Sequence, residues 1–183
     1  MIINETESRN EQLISVARAM MSAARTAPKG CGVDNLEIAA VTGARKRKLV
    51  EKMREVGEAQ GRSFFLRDSE NVESSEVVVL IGAKAAVRKL NCGLCGYPKC
   101  RDKVEKAPET PCSFDVTDLG IAVGSAVSIA ADFRVDNRIM YSAGVAAREL
   151  GYLGNSPIIF AIPLSATGKS IYFDRQHAPT CAK

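Results

Sequence analysis

The segment SEVVVLIGA, residues 75–83, constrains the fold more than any other stretch of this chain. Val77, Val78, Val79, Leu80 and Ile81 follow one another without a polar break. β-Branched residues favour extended backbone. A strand has two faces, so a run without alternation predicts burial on both. Such a strand needs a layer of structure on either side, and the flanking segments supply helices.

From Glu11 to Ala24, Leu13, Val16, Ala17, Met20, Met21 and Ala24 recur at helical spacing. This helix should end near Pro28 and Gly30. NLEIAAVTG, 35–43, reads as a strand closed by a turn. RKRKLVEKMREVGEAQG, 45–61, reads as a surface helix with an apolar stripe of Leu49, Val50, Met53 and Val56. Positive charge at its start opposes the helix dipole. A helix over about 116–133 is apolar nearly all round and is expected to be central, with Asp115 or Thr117 as its cap. Gly120, Gly124 and Ser128 form a small-residue stripe along it, which predicts close approach of another backbone. A further helix is expected at 141–150, a strand at 157–164, and a fourth strand at 169–175. Helices alternating with buried strands predict a single α/β layered domain over 1–183. The Gly-, Pro- and Lys-rich stretch 88–114 interrupts the pattern as an insertion between a strand and a helix.

Composition narrows the function. With 183 residues, 46% hydrophobic and 25% charged, the chain is an ordinary globular one with room for a core. A net charge of +4 and 5% aromatic residues favour neither nucleic acid nor a membrane. The polar start MIINETESRN is no secretory signal, and the run LGIAVGSAVSIAA, 119–131, is short for a bilayer. A cytoplasmic protein is the expectation. One histidine, His177, leaves no material for a Ser–His–Asp triad or a His-rich zinc site.

The insertion carries the chemistry. NCGLCGYPKC, 91–100, spaces three cysteines as C-x2-C-x4-C, and Cys112 follows as the fourth candidate. Clustered thiols without a secretory signal point to metal or redox chemistry rather than disulfides. Cys92, Cys95, Cys100 and Cys112 suit tetrahedral zinc or an iron–sulfur cluster. Only one C-x2-C knuckle is present, whereas zinc ribbons use two. Gly93 and Gly96 each follow a cysteine, letting the chain wrap tightly and turn N–H groups inward. Lys99, Arg101 and Lys103 surround the loop with positive charge, which would offset a cluster or, more blandly, stay solvated. Cys31, between glycines and near Lys29, is a candidate reactive thiol or a passive loop residue. Cys181 lies in the tail.

LNCGLCGYPKC resembles the N-C-G-x-C-G-x-x-x-C module that binds a [4Fe–4S] cluster in corrinoid and electron-transport proteins. The resemblance implies Cys92, Cys95, Cys100 and Cys112 as ligands, with a shorter gap before the fourth than is usual there. ARTAPKG, RDSENV, LNCGLCG, DLGIAVGSA, VDNRIMYSAG and IPLSATGKSIYFDR, in that order, resemble the ferredoxin domain-containing proteins along essentially the whole chain. The resemblance implies a cluster-bearing redox protein.

The order of elements around the insertion is similar to that of nitroreductases: a helix, an Ala-Pro loop (Ala27-Pro28), a strand, a long buried helix, and a basic C-terminal segment. That resemblance implies a nitroreductase-like scaffold, a homodimer across the long helices, and FMN as a possible second cofactor. The N-terminal Arg-x-Ser-x-Arg that grips flavin phosphate in that family is absent, and CGVDNL stands where Asn-x-Gln-Pro-Trp is usual. Lys29, Lys169 and Arg175 are the remaining candidates for phosphate, or ordinary surface charges. FMN binding is therefore expected to be weak. The expected partner is a redox protein. The functions left open are an oxidoreductase, a cluster-bearing relay or sensor without a catalytic centre, and a structural zinc site made by the four cysteines.

Overall fold

In the computed structural model, residues 1–154 and 156–173 are described. The elements run α1 (Glu5–Thr26), a 3-10 turn (Gly30–Gly32), β1 (Leu36–Val41), α2 (Gly43–Ala59), α3 (Ser63–Glu73) and β2 (Val77–Ala83). Then come α4 (Cys100–Lys106), α5 (Ser113–Asp132), β3 (Asp136–Asn137), α6 (Tyr141–Glu149) and β4 (Ile158–Ser165). The four strands form one antiparallel sheet in the order β1-β2-β4-β3.

β2 is buried at every residue, as its composition predicts. Its alternate side chains feed two separate cores. Val77, Val79, Ile81 and Ala83 pack with α1 and α5. Val78 and Leu80 pack with α2, α3 and α6. β4 divides in the same way, Ile162 and Leu164 to the first layer and Ile159 and Ala161 to the second. Pro163 is tolerated in this inner strand for a topological reason. Ala161 N–H donates to Met140 O, on the β3 side (2.8 and 3.1 Å for the reciprocal pair). By the two-residue period, Pro163 presents its nitrogen to that same side. There β3 pairs only with Leu164 and Ser165, so no ladder bond is lost.

α1 starts earlier than its apolar stripe suggests. Asn4 Oδ1 caps it by accepting from Thr6 N–H (3.1 Å), and Arg9 pairs with Glu5 at 2.6 Å across the first turns. α2 buries the predicted stripe of Leu49, Val50, Met53 and Val56. Its basic start is partly structural: Lys46 Nζ donates to Ser75 O and to Glu73 O (2.8 Å) at the end of α3.

Three expectations are corrected. The cap of α5 is Cys112, with no side-chain capping bond, because the helix begins at Ser113; Asp115 lies inside its first turn, in a buried ion pair. The fourth strand is β3, not 169–175: residues 171–173 form a turn, and 174–175 lie outside the described residues. Gly120 and Gly124 meet open space rather than a backbone. Close approach occurs instead at Gly144, where any Cβ would collide with the Ile159 carbonyl as α6 lies down on β4.

Candidate functional site

The segment between β2 and α5 carries the cysteines. Its backbone turns by left-handed residues at Lys89, Asn91, Gly93 and Gly96. The two glycines take this conformation without the Cβ penalty. A Gly96 N–H to Gly93 O bond of 2.9 Å closes a turn around Leu94 and Cys95. Asn91 then clamps the far end of the loop. Its Oδ1 accepts from Cys100 N–H at 2.8 Å, and its own N–H points to Cys100 Sγ at 3.3 Å. Cys100 opens α4, and Cys112 is pinned to the exit of β2 by its N–H donating to Ala86 O at 3.2 Å. Cys112 is buried, Cys95 and Cys100 are half-buried and Cys92 is exposed; all four are free thiols. Among the described residues, no three His, Cys, Asp or Glu side chains converge into a group that could hold a metal ion.

Behind this segment lies a buried polar cluster that sequence reasoning missed. Arg88, 1% exposed at its side chain, places Nη2 2.8 Å from Asp115 Oδ1 and 2.5 Å from Asp118 Oδ2. Asn35 Nδ2 donates to Asp115 Oδ1 at 3.0 Å. Gly30 N–H donates to both oxygens of Asp118, at 3.0 and 3.2 Å. The two aspartates stand three apart on α5, so they share one helix face. Burial pushes the Asp115 carboxyl up from its ordinary value and Asp118 adds to the push, while Asn35 and Arg88 pull it back. Arg88 Nε and Nη1 remain buried without a hydrogen-bond partner. Two aspartates in the first turns of a largely apolar helix were the available signal for this cluster. Their partners come from distant segments and gave none.

The donor set fits an iron–sulfur cluster in its chemistry. Four free thiols on one segment and a loop turned by positive-φ glycines match the needs of an anionic, thiolate-held group.

Among the described residues, Lys29 offers a flavin phosphate no free donor. Lys29 Nζ donates to Ala24 O (3.1 Å), Arg25 O (2.6 Å) and Ala27 O (2.7 Å), which closes the end of α1. Those three bonds use every proton of the ammonium. Lys169 lies beside Glu70, Asn71 and Ser74 at the end of α3, across the sheet from Lys29. Arg175, like His177 and Cys181, lies outside the described residues. The structure thus does not bring Lys29 and Lys169 together. Cys31 is exposed at the tip of the 3-10 turn with φ 58°, and the Lys29 ammonium is engaged elsewhere.

Comparison with known proteins agrees with the scaffold. The chain resembles the FMN-dependent nitroreductase NfnB from Mycobacterium smegmatis, solved in complex with NADPH (TM-score 0.59, 11% identity, 87% of this chain and 81% of that one). It also resembles nitroreductase A from Vibrio parahaemolyticus (TM-score 0.54, 12% identity, 85% and 59%). The NADPH:FMN oxidoreductase from Vibrio harveyi, complexed with NAD+, is similar at TM-score 0.51 and 14% identity, over 85% and 60%. The chain thus spans 59% and 60% of the two Vibrio proteins. These likenesses show a nitroreductase-like α/β fold.

In sequence, an uncharacterized protein from Archaeoglobus fulgidus is 42% identical over 182 residues, covering 96% of this chain and 98% of the relative. Residues 109–175, which include Cys112, match the family described as "Uncharacterized protein containing a ferredoxin domain (DUF2148)". On these grounds the chain belongs to that ferredoxin-domain family, built on a nitroreductase-like fold.

Proposed function

We propose that this chain is an electron-transfer protein carrying a [4Fe–4S] cluster on Cys92, Cys95, Cys100 and Cys112, and that it relays electrons to a partner redox protein. The ferredoxin-domain family and the nitroreductase-like fold suggest redox function. The observation that carries the finer reading is the set of four free thiols on one segment between β2 and α5. Bound there, the cluster supplies one-electron transfer. The chain's own residues do the rest. Gly93 and Gly96 turn the backbone about Cys95, Asn91 fixes the start of α4, and the Ala86–Cys112 bond joins the two ends of the segment to each other. Relay is favoured over flavin catalysis because Lys29 has no donor left and Lys169 lies in the opposite layer.

We also infer a homodimer through α5. Only 39% of this helix's apolar window is buried within the chain, although it is long and apolar enough to cross a membrane by length and composition. Its outer face, with Val116, Gly120, Ile121, Gly124 and Ser128, carries no charge before the exposed Asp132 at its end. A second copy, presenting the same small-residue stripe, can approach closely there.

The test of the cluster is a serine series in anaerobically reconstituted protein. Cys92→Ser, Cys95→Ser and Cys100→Ser should each abolish the visible cluster absorbance, and Cys112→Ser should weaken it strongly. Cys31→Ser should leave it intact. Full absorbance in the first three variants would rule the assignment out.

A further inference from the structure

Oxygen-bearing side chains meet at the end of the sheet away from the cysteine segment. Asp136 and Ser165 stand directly across from each other in the β3–β4 pair. Partners in an antiparallel pair turn their side chains to one face. Val135 packs into the layer of α1 and α5, so Asp136 turns to the other layer. Tyr172 and Ala161 pack there, and alternation along β4 sends Ser165 the same way as Ala161. Burial raises the Tyr172 phenol, and the Asp136 charge adds to the rise while Ser75 and Ser165 pull against it. All three therefore stand near the phenol oxygen.

The protons of this group run away from the carboxylate. Ser75 Oγ donates its single proton to Asn71 O at 2.7 Å. The Tyr172 hydroxyl, 3.0 Å from Ser75 Oγ, must then give its own proton to that oxygen, which leaves the phenol oxygen an acceptor. Asp136 Oδ1 accepts from Asn137 N–H at 3.0 Å. Asp136 Oδ2 and Ser165 Oγ are buried without a hydrogen-bond partner, and Ser165 is 3% exposed. Arg138, two residues along, directs its guanidinium to Tyr172 O at 3.2 Å and to the Phe173 ring. A carboxylate oxygen beside hydroxyl oxygens is a hard donor set, with neither nitrogen nor sulfur. One carboxylate balances one positive charge, whereas calcium sites gather several. We propose that Asp136 Oδ2, Ser165 Oγ and the Tyr172 hydroxyl oxygen hold one monovalent alkali cation, sodium or potassium. The cation fastens β3, only two residues long, to β4 and to Tyr172. The site does not depend on a cluster at the cysteines: Ser75 precedes β2, and the cysteines follow it.

The test is thermal unfolding of the full chain in sodium, potassium or choline chloride at equal ionic strength, for wild type, Asp136→Asn, Ser165→Ala and Asp132→Asn. Screening is then constant, and specific binding separates the salts. Wild type should unfold about 3 °C higher in sodium or potassium than in choline, because a ligand held only by the folded chain raises the midpoint. Asp136→Asn should abolish the difference. Ser165→Ala keeps the carboxylate and should need about tenfold more cation for the same shift. Asp132→Asn removes an exposed carboxylate and should behave as wild type. Equal wild-type midpoints in all three salts would overturn the proposal in favour of buried water. A shift kept in full by Asp136→Asn or by Ser165→Ala would put the cation elsewhere and overturn it too. If Asp136→Asn does not fold, wild type and Ser165→Ala decide the matter alone.

Discussion

Arg88 Nη2 lies 2.5 Å from Asp118 Oδ2, with both side chains sealed from water. The same carboxylate accepts from Gly30 N–H, so one aspartate of α5 joins the segment leading to the cysteines to the loop after α1. Breaking a buried pair by removing one partner strands the other charge. Arg88→Met would leave Asp115 and Asp118 without their cation and should cost about 3–5 kcal/mol. Asp118→Asn keeps an acceptor for Gly30 and should cost less. Urea unfolding of both variants checks this. A midpoint for Arg88→Met equal to wild type would contradict it.

Tyr172 gives a pH signature at the opposite side of the sheet. It is 2% exposed, with its hydroxyl 3.0 Å from Ser75 Oγ. Burial pushes its phenol up from 10.0 to about 12, against the pull of the Ser75 bond. The folded chain therefore holds this proton longer than the unfolded chain does. Its contribution is full below pH 10.0 and is lost as pH rises toward about 12. Between about pH 9 and about pH 11.5, wild type should lose about 2 kcal/mol more stability than Tyr172→Phe. Denaturant unfolding at both pH values measures the difference, and equal losses would count against the buried phenol.

Assembly tests the outer face of α5. Ile121 is 42% exposed at the centre of the uncharged stripe. Sedimentation velocity at high micromolar concentration should show a dimer for wild type and a monomer for Ile121→Glu. A wild-type monomer at that concentration would remove the dimer from the account.

Legibility in the sequence followed the kind of burial. β2 could be read because both of its faces are aliphatic, and α2 because Leu49, Val50, Met53 and Val56 keep helical spacing and all go inside. α3 escaped because half of its buried face is polar: Asp68 and Ser69 are sealed with Phe65 and Val72, and Asp68 Oδ2 accepts from Ser142 Oγ at 2.6 Å. β3 has only two residues, too few for any period to register. The cysteine set was visible because its members are close in sequence. The Arg88 cluster was not, since Asn35 meets Asp115 and Gly30 meets Asp118 only once the chain has folded. Lys29 shows the converse case. A lysine after an Ala-Pro loop suggested phosphate, and the structure spends it on the carbonyls ending α1.

The most direct measurement of the central claim is metal and sulfide analysis of wild-type protein prepared and reconstituted anaerobically. A [4Fe–4S] centre on Cys92, Cys95, Cys100 and Cys112 predicts about four iron and four sulfide per chain, with little or no zinc. Stoichiometric zinc with no iron after reconstitution would contradict the account and identify the four thiols as a structural zinc site.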